Sequence, residues 1–355
     1  MKKIGVMVGR ENTFPEAFLA AVNARTAETG VSAEYVRVGG VVCGEPPEYA
    51  VILDRISHEV PFFQAYLKHA ALNGTYVVNN PFWKLADDKF FGTALAKKVG
   101  VPVPRSVTLP NKEYIPDITS GSLRNMKWVD WEGVLRYVGA PAFIKPIYGG
   151  GWKNVTKVRN LEELMKAYDE SGQLSMILQE GIEWDAYVRC IVIGRKHVYP
   201  HPWDPSRPHH ERYSHAKFDI PQPLMDRIVE LSLRLCRALG YDMNTCEFAV
   251  RDGVPYAIDF MNAAPDLDAR SLTPEAFAWA VKHMTEFTID LARGGAAAET
   301  PPRWDALMFD GQGGGATTSG ATPASFAAAP RATAGREPAS AAPSRTAPSK
   351  SKGRK

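Results

Sequence analysis

The first 80 residues alternate between short apolar runs and amphipathic stretches, and no other feature constrains the fold as strongly. The apolar runs lie at residues 2–8, 33–42, 49–56 and 75–80, and amphipathic stretches at 13–25 and 61–74 separate them. Short apolar runs are typical of strands, and strands that alternate with helices favour a parallel sheet with helices on its faces. The sequence therefore predicts an α/β domain at the start of the chain.

The bulk composition indicates a reduced, water-soluble protein of more than one domain. Its 355 residues are 45% hydrophobic, enough to bury a large core, but no apolar run could span a bilayer. The apolar run after the first two lysines is too short for a signal peptide. The four cysteines, Cys43, Cys190, Cys236 and Cys246, have no metal-site spacing. We therefore expect a cytoplasmic protein with no membrane contact.

The composition changes at about residue 296 to Ala, Pro, Ser, Thr and Gly. Such a segment buries too little apolar surface to offset its chain entropy, so residues 296–355 are predicted to be a disordered tail. Residues 331–355 hold seven bases and one acid, a charge of +6 in a chain of net charge +3, so the remainder carries −3. The basic end leaves contact with nucleic acid open, with a solubilising tail as the favoured interpretation.

Near residue 250 the pattern predicts a β-hairpin. Residues 245–250 and 255–260 are short, apolar and rich in β-branched or aromatic side chains, and a turn-forming loop separates them. With the loop centred on Gly253, Phe248 faces Ile258 on a wholly apolar side of the hairpin. That side would pack on a core.

The other side of the same hairpin would carry two acids, because the same register pairs Glu247 with Asp259. Directly opposed carboxylates repel each other and destabilise a sheet. A shared cation such as Mg²⁺, which takes carboxylate and amide oxygens, removes the repulsion. A metal site is one interpretation, and two acids on a solvated sheet face is the other.

Two lysines and a glycine run suggest phosphate binding. Lys145 ends the apolar strand "PAFIKP", where burial is costly unless the lysine meets an anion. The "GGG" of residues 149–151 follows closely and can bend its backbone N–H groups towards phosphate oxygens. Lys89 follows two aspartates near a helix start. An exposed lysine before a glycine turn remains the alternative for Lys145, and a solvated surface lysine for Lys89.

Polar residues also end or interrupt the later strands. Gln179 and Glu180 end the strand "MILQE", and such an end could pair with an adenine edge or be an ordinary strand end. Arg189 sits in an apolar strand, where an unpaired guanidinium would be costly. Asp185 could be its partner or a ribose ligand.

The loop "HPWDPSRPHHERYSH" at residues 201–215 is predicted to face the substrate. Arg207, His209, His210 and Arg212 could read a carboxylate or a phosphate. Arg270 further on is another candidate for a substrate carboxylate, with a surface arginine at a helix start as the alternative. A zinc site at His209, His210 and His215 is a weaker alternative, because no partner spacing supports it.

The order of these features resembles the ATP-grasp superfamily. It runs from the lysine of "DDK" through "FIKP" with its glycine run, "LQE" and "VRCIVIG" to Glu247, Asp259 and Asn262. The branch with glutathione synthase and the ligases that add glutamate to ribosomal protein looks most similar. The resemblance covers about residues 1–292.

It implies an α/β and α+β fold in four parts. These are a Rossmann-like domain at 1–88, two ATP-clamping lobes at 89–180 and 181–295, and the tail at 296–355.

The resemblance also implies roles for single residues. Lys89 and Lys145 would hold phosphates, under a lid formed by Gly149, Gly150 and Gly151. The adenine and ribose site would comprise Gln179, Glu180, Ile182 and Asp185. Arg189 and Arg212 would be catalytic. Glu247, Asp259 and Asn262 would hold two Mg²⁺ ions, with Mn²⁺ as a possible substitute.

One departure from the family pattern concerns the metal site. The usual Glu-X-Asn is here Asp259-Phe-Met-Asn262, with one extra residue. Residues three apart on a flat strand point to opposite faces, so a bulge or bend at 260–261 must bring Asn262 round.

The implied activity is an ATP-dependent ligase that joins a small-molecule carboxylate to an amine through an acyl phosphate, releasing ADP and phosphate. Alternatives are a non-ligating ATP-binding module that acts as a sensor or scaffold, an enzyme that only phosphorylates, and a protein that binds nucleic acid through its tail. A homo-oligomer is possible.

Overall fold

The computed structural model describes residues 1–46, 48–208, 211–213 and 219–295. The predicted tail at 296–355 lies outside the described residues. Three four-stranded sheets organise the described part of the chain.

The first sheet is parallel, as the alternating pattern predicts. Its strand order is β2-β1-β3-β4. The strands are β1 (Lys2–Met7), β2 (Val31–Tyr35), β3 (Val51–Asp54) and β4 (Tyr76–Val78), and the helices between them are α1 (Thr13–Asn23), α2 (Thr26–Thr29) and α3 (Pro61–Leu72). Strand β3 is buried along its whole length, which explains its continuous apolar run.

The second sheet is antiparallel and carries the lysine and glycine motifs. Its order is β5-β8-β6-β7. The strands are β5 (Ser106–Leu109), β6 (Ala142–Pro146), β7 (Thr156–Val158) and β8 (Met176–Glu180), and the helices are α4 (Pro81–Ala86), α5 (Lys89–Lys98), α6 (Trp131–Val138) and α7 (Leu161–Asp169). The Asp88 carboxylate caps α5 by accepting from the Phe91 N–H at 2.7 Å, so Lys89 is its first residue.

The third sheet is antiparallel and carries the acids and arginines. Its order is β10-β9-β11-β12. The strands are β9 (Ala186–Ile193), β10 (His197–Pro202), β11 (Met243–Arg251) and β12 (Val254–Asp259), and the helices are α8 (Gln222–Leu239) and α9 (Pro274–Arg293). One face packs Val188, Cys190 and Phe248 against α8. Since side chains alternate along a strand, Arg189 and Glu247 lie on the opposite face.

The predicted register of the β11–β12 hairpin is wrong next to the turn. Phe248 pairs with Ala257, not with Ile258. The turn consists of two residues, Asp252 and Gly253, with φ angles of 53° and 73°. Two positive φ angles are typical of a two-residue hairpin turn, which shifts the pairing by one residue relative to a loop centred on Gly253.

A β-bulge restores the predicted pairing further along the hairpin. The register shifts between Glu247 and Phe248, and Glu247 then pairs with Asp259 as predicted. Ile258 is the extra residue of the bulged strand, so it and Asp259 both line the same cavity. The irregularity therefore lies before Asp259 as well as after it.

Asn244 fixes the bend that follows Asp259. Its fully buried side-chain amide donates to the Phe260 carbonyl at 2.7 Å and accepts from the Asn262 N–H at 2.9 Å. Phe260 thereby stays in the core while Asn262 lines the cavity beside Asp259. This bend supplies the turn that the extra residue of Asp259-Phe-Met-Asn262 requires.

Candidate active site

A cavity of about 660 Å³ collects the predicted site residues from the second and third sheets and the loops around them. Every predicted site residue except Asp185 lines it: Lys89, Lys145, Gly149, Gly150, Gly151, Gln179, Glu180, Ile182, Arg189, Arg212, Glu247, Asp259 and Asn262. Residues more than 170 positions apart in sequence thus share one cavity.

The two lysines lie at the same wall of this cavity. Lys145 Nζ donates to Gln179 Oε1 at 2.8 Å across the β6–β8 pair, and Lys89 Nζ donates to the Gly149 carbonyl. Burial lowers the pKa of Lys145, although Asp259 opposes the shift, and burial also lowers the pKa of Lys89. Two desolvated ammonium groups in one cavity attract an anion strongly.

The glycine run forms the open side of this wall. Gly149 and Gly151 have φ angles of 88° and 70°, which glycine adopts without strain. No described atom lies within 4 Å of a Cβ built on any of the three glycines, so the loop has room to approach a ligand. Trp152, 58% exposed, continues the cavity wall.

At the strand end formed by Gln179 and Glu180, two arginines of the protein bind the Glu180 side chain. The Glu180 carboxylate accepts from Arg105 Nε at 3.1 Å and from Arg251 Nη1 at 3.0 Å. Burial raises its pKa, but these hydrogen bonds outweigh burial and hold the pKa below its ordinary value. Because both carboxylate oxygens already accept hydrogen bonds from arginines, a ligand at this strand end could bind the backbone that follows Glu180.

Asp185 is the predicted residue that the structure places elsewhere. Its carboxylate accepts from the Asp252 N–H at 3.0 Å, and its own N–H donates to the Val250 carbonyl. It thus closes the β11–β12 turn, and it does not pair with Arg189. Glu183, two residues earlier, lines the cavity instead. The segment between β8 and β9 has no periodic pattern, so the sequence could not distinguish these two acids.

The two facing acids lie inside the cavity, not on a solvated sheet face. Burial raises the pKa of Glu247 to about 7, with Arg189 opposing the shift and Asp259 adding to it. Tyr187 donates its hydroxyl to Glu247 Oε2 at 3.0 Å.

The donor set at these acids matches a hard cation. The two carboxylates are joined by Asn262, and carboxylate and amide oxygens are the ligands that Mg²⁺ takes. In the described residues no three His, Cys, Asp or Glu side chains form a metal-binding group. Asn262, which lines the same cavity, would supply an amide oxygen beside the two carboxylates.

Two arginines converge on one buried indole. The Cζ atoms of Arg189 and Arg212 lie 5.3 and 5.1 Å from the centre of the Trp203 ring, which is 1% exposed. Arg189 Nη1 lies 3.5 Å from Glu247 Oε1, and its Nη2 donates to Thr245 Oγ1 at 3.2 Å. The costly buried guanidinium predicted for Arg189 is thus paired by the neighbouring strand.

Sequence reasoning missed Trp203 and Tyr187, which line the cavity. It also missed Thr245 and Asn244, which hold Arg189 and the bend before Asn262 from behind the wall. Tyr187 and Thr245 could have been found, because they lie two positions from Arg189 and Glu247 and therefore share a strand face with them. Asn244 carried a weaker signal, a polar residue in an apolar strand.

The other candidates are not part of the cavity wall. Arg207 pairs with Asp204 at 3.4 Å, and Arg270 is exposed; neither lines the cavity. The zinc alternative at His209, His210 and His215 lies outside the described residues. Among the helices described, none is long and apolar enough to cross a membrane.

Several known proteins are similar to this chain in sequence. No family model matches the sequence. The D-alanine–D-alanine ligase of Coprothermobacter proteolyticus is 24% identical over 221 residues, 58% of this chain and 68% of that protein. That of Ralstonia nicotianae is 25% identical, over 46% of this chain and 54% of its own length.

Solved structures share the fold. A RimK domain ATP-grasp protein from Sphaerobacter thermophilus superposes with a TM-score of 0.59 at 16% identity, over 80% of this chain and 98% of its own. The D-alanine–D-alanine ligase of Bacillus anthracis complexed with ATP gives 0.53 at 16% identity, over 82% and 97%. The chain therefore has the ATP-grasp fold that these solved structures share.

Proposed function

We propose that this protein is an ATP-dependent carboxylate–amine ligase. A substrate carboxylate attacks the γ-phosphorus of ATP to give an acyl phosphate and ADP, and an amine then displaces phosphate to form an amide. One observation carries the proposal: two half-buried lysines and a glycine loop share a single cavity with a row of two acids and an arginine. Phosphoryl transfer requires this combination of positioning and charge neutralisation.

We place the ATP phosphates against Lys89, Lys145 and the loop at Gly149–Gly151. Both ammonium groups are poorly solvated, so an anion would regain the solvation energy that burial removes. The loop N–H groups add donors at the same wall.

We place the adenine at the strand end formed by Gln179, Glu180 and Ile182. Within the described residues the backbone N–H of Ile182 makes no hydrogen bond, so it is available to a base edge. The Glu180 carboxylate fixes the strand end through its arginines and does not itself accept from the base. The ribose acid is then Glu183, which lines the cavity, and not Asp185.

Glu247, Asp259 and Asn262 would hold Mg²⁺, in two ions, with Mn²⁺ as a substitute. A bound cation would offset the repulsion between the facing carboxylates and neutralise charge on the phosphates. Arg189, held by Glu247 and Thr245, would neutralise charge on the acyl phosphate. Arg212 would do so from the connection between β10 and α8.

The division of the chain into domains at 1–88, 89–180 and 181–295 is part of the same proposal. The three sheets support it, because each sheet lies within one of these ranges. The cavity is lined from the two later ranges, as expected for a site clamped between two lobes.

Phosphorus NMR tests the function directly. Purified protein, Mg²⁺, ATP and a pool of amino acids and small carboxylic acids, including D-alanine, should give ADP and phosphate only when the pool is present. Asp259→Ala should abolish this turnover in a folded protein, and Asp226→Ala on the exposed side of α8 should retain it. A folded Asp259→Ala protein that turns over normally would refute the metal assignment.

The non-ligating sensor and the simple phosphorylating enzyme make different predictions in this assay. A sensor would bind Mg·ATP but release no ADP with any mixture. A phosphorylating enzyme would consume ATP without an amine. The ligases among the relatives and the complete set of charged groups in the cavity favour ligation.

A further inference from the structure

Four polar side chains form one row across the third sheet. His201 pairs with Arg189, Arg189 with Glu247, and Glu247 with Asp259, so the row crosses β10, β9, β11 and β12 in order. Directly paired residues project from the same face of a sheet. His201 therefore lies on the same face of the sheet as Arg189, one strand spacing, about 4.8 Å, beyond it and on the side away from the two acids. His201 does not itself line the cavity, but Arg189, its partner on the next strand, does.

The hydrogen bond of His201 fixes which ring nitrogen carries the proton. Its Nδ1 lies 2.6 Å from the Pro202 carbonyl oxygen, and a carbonyl can only accept, so Nδ1 is the donor. The neutral ring then has its lone pair on Nε2. An imidazole oriented by one backbone carbonyl and basic at its other nitrogen is equipped to remove a proton.

Two buried polar atoms beside His201 have no hydrogen-bond partner among the residues that the structure describes. They are Arg189 Nε and the Tyr213 hydroxyl, and the Tyr213 ring packs edge-on against the His201 ring at 5.3 Å. Both residues are less than a tenth exposed. Buried polar atoms without partners are uncommon and costly, and a bound polar ligand would satisfy them.

We propose that His201 is the general base for the second half of the reaction and that the amine substrate enters at the His201 end of the row. The proposal rests on the ligase function proposed above. The acyl phosphate forms near Arg189 and the acids, so the space beyond Arg189 is where an amine can approach its carbonyl carbon.

The chemical step balances without a further reagent. His201 Nε2 takes one proton from the substrate ammonium, and the freed nitrogen lone pair attacks the acyl carbon. The C–N bond forms, the bond from the acyl carbon to the phosphate oxygen breaks, and phosphate leaves with that electron pair. The nitrogen loses its second proton to the departing phosphate, which gives the neutral amide.

Hydroxylamine separates this step from the one before it. Hydroxylamine is largely unprotonated at neutral pH, so it traps an acyl phosphate as a hydroxamate without a base, whereas an amino acid must first lose an ammonium proton. Wild type, His201→Phe and His201→Gln would each be incubated with Mg²⁺, ATP and the pool of acids, once with hydroxylamine and once without. Hydroxamate and ADP are the two readouts.

We expect both variants to form hydroxamate within about threefold of wild type, while ADP release with amino acids alone falls by about 10²-fold or more. His201→Phe keeps the ring contact with Tyr213 and removes only the nitrogens. His197→Gln is the matched control, because His197 lies on the same strand and face but stacks on His283 at 4.4 Å; it should change neither readout.

Three results would overturn the proposal. Unchanged ADP release in both His201 variants would exclude a base at this position. An equal loss of hydroxamate and ADP would show a structural role. A wild-type protein that forms neither product would refute the ligase function itself, on which the base depends.

Discussion

Asn244 offers the sharpest test of how the fold positions the acids and the amide that are proposed to bind metal. In Asn244→Ala the Phe260 carbonyl, in a residue 4% exposed, stays buried without its donor, which costs about 1–3 kcal/mol. The Asn262 N–H is only partly buried and can turn to water, so only the net bond, about 0.5–1.5 kcal/mol, is lost. The free energy of unfolding should therefore fall by roughly 1.5–4.5 kcal/mol.

The same substitution should weaken ATP binding, because Asn262 reaches the cavity only through this bend. Loss of a residue that orients a metal ligand typically costs about 10–100-fold in affinity. Urea unfolding followed by circular dichroism measures the stability. Calorimetric titration with ATP at fixed Mg²⁺ measures the affinity, and repeating it with EDTA in place of Mg²⁺ isolates the metal-dependent part.

Asn23→Ala is the matched control. The Asn23 amide makes the same pair of backbone hydrogen bonds, donating to the Ala33 carbonyl at 2.9 Å and accepting from the Ala33 N–H at 2.8 Å, in the first sheet. It should lose stability and keep its Mg²⁺-dependent affinity. An Asn244→Ala protein that binds Mg·ATP as tightly as the control would refute the reasoning.

Two further substitutions separate stability from function. Burial raises the pKa of Asp87 from 3.8 to about 7; the hydrogen bond from Tyr241 opposes this shift and the charge of Asp88 adds to it. The contribution of Asp87 to stability is therefore greatest below pH 3.8 and is lost as the pH rises towards 7. In urea titrations at pH 5 to 8, Asp87→Asn should remove that decline and be the more stable protein at pH 8. Lys145→Met removes a desolvated ammonium, so it should cost little or no stability while it reduces ATP affinity, measured by calorimetry, by at least about tenfold. If the free energy of unfolding falls by as much as the free energy of ATP binding, Lys145 is structural.

The sequence could predict which residues project from a strand face, because charge in an apolar strand has few explanations. Lys145, Arg189 and Glu247 each interrupt an apolar run, and each lines the cavity. The parallel first sheet was equally accessible, since strand and helix alternate there along the chain.

Local turn chemistry set the first limit on prediction. The sequence did not show whether the loop around Gly253 has an odd or an even number of residues. The turn has two residues, Asp252 and Gly253, and this shifted the pairing beside it by one residue. The bulge at Ile258 then cancelled that error at Glu247. The correct acid pair thus followed from a register that was wrong at the next residue, Phe248.

Pairing between distant strands set the second limit. Arg189 and Glu247 are 58 positions apart, and only their antiparallel register makes them neighbours. No local pattern encodes that register, so His201, an ordinary histidine in a proline-rich loop by sequence, could not be placed beside Arg189 before the sheet was known.

The order of side chains along this row carries more information than their presence. A cavity with its acids and arginine scattered would hold ATP equally well but would not separate the two halves of a ligation. Here the acids lie at one end, Arg189 in the middle and His201 at the other, one strand apart each time. On the proposed mechanism, phosphate chemistry would be confined to one end of the row and proton removal to the other, with Arg189 between them. This separation would keep the base away from the acids proposed to bind metal, where a bound cation would lower its affinity for protons.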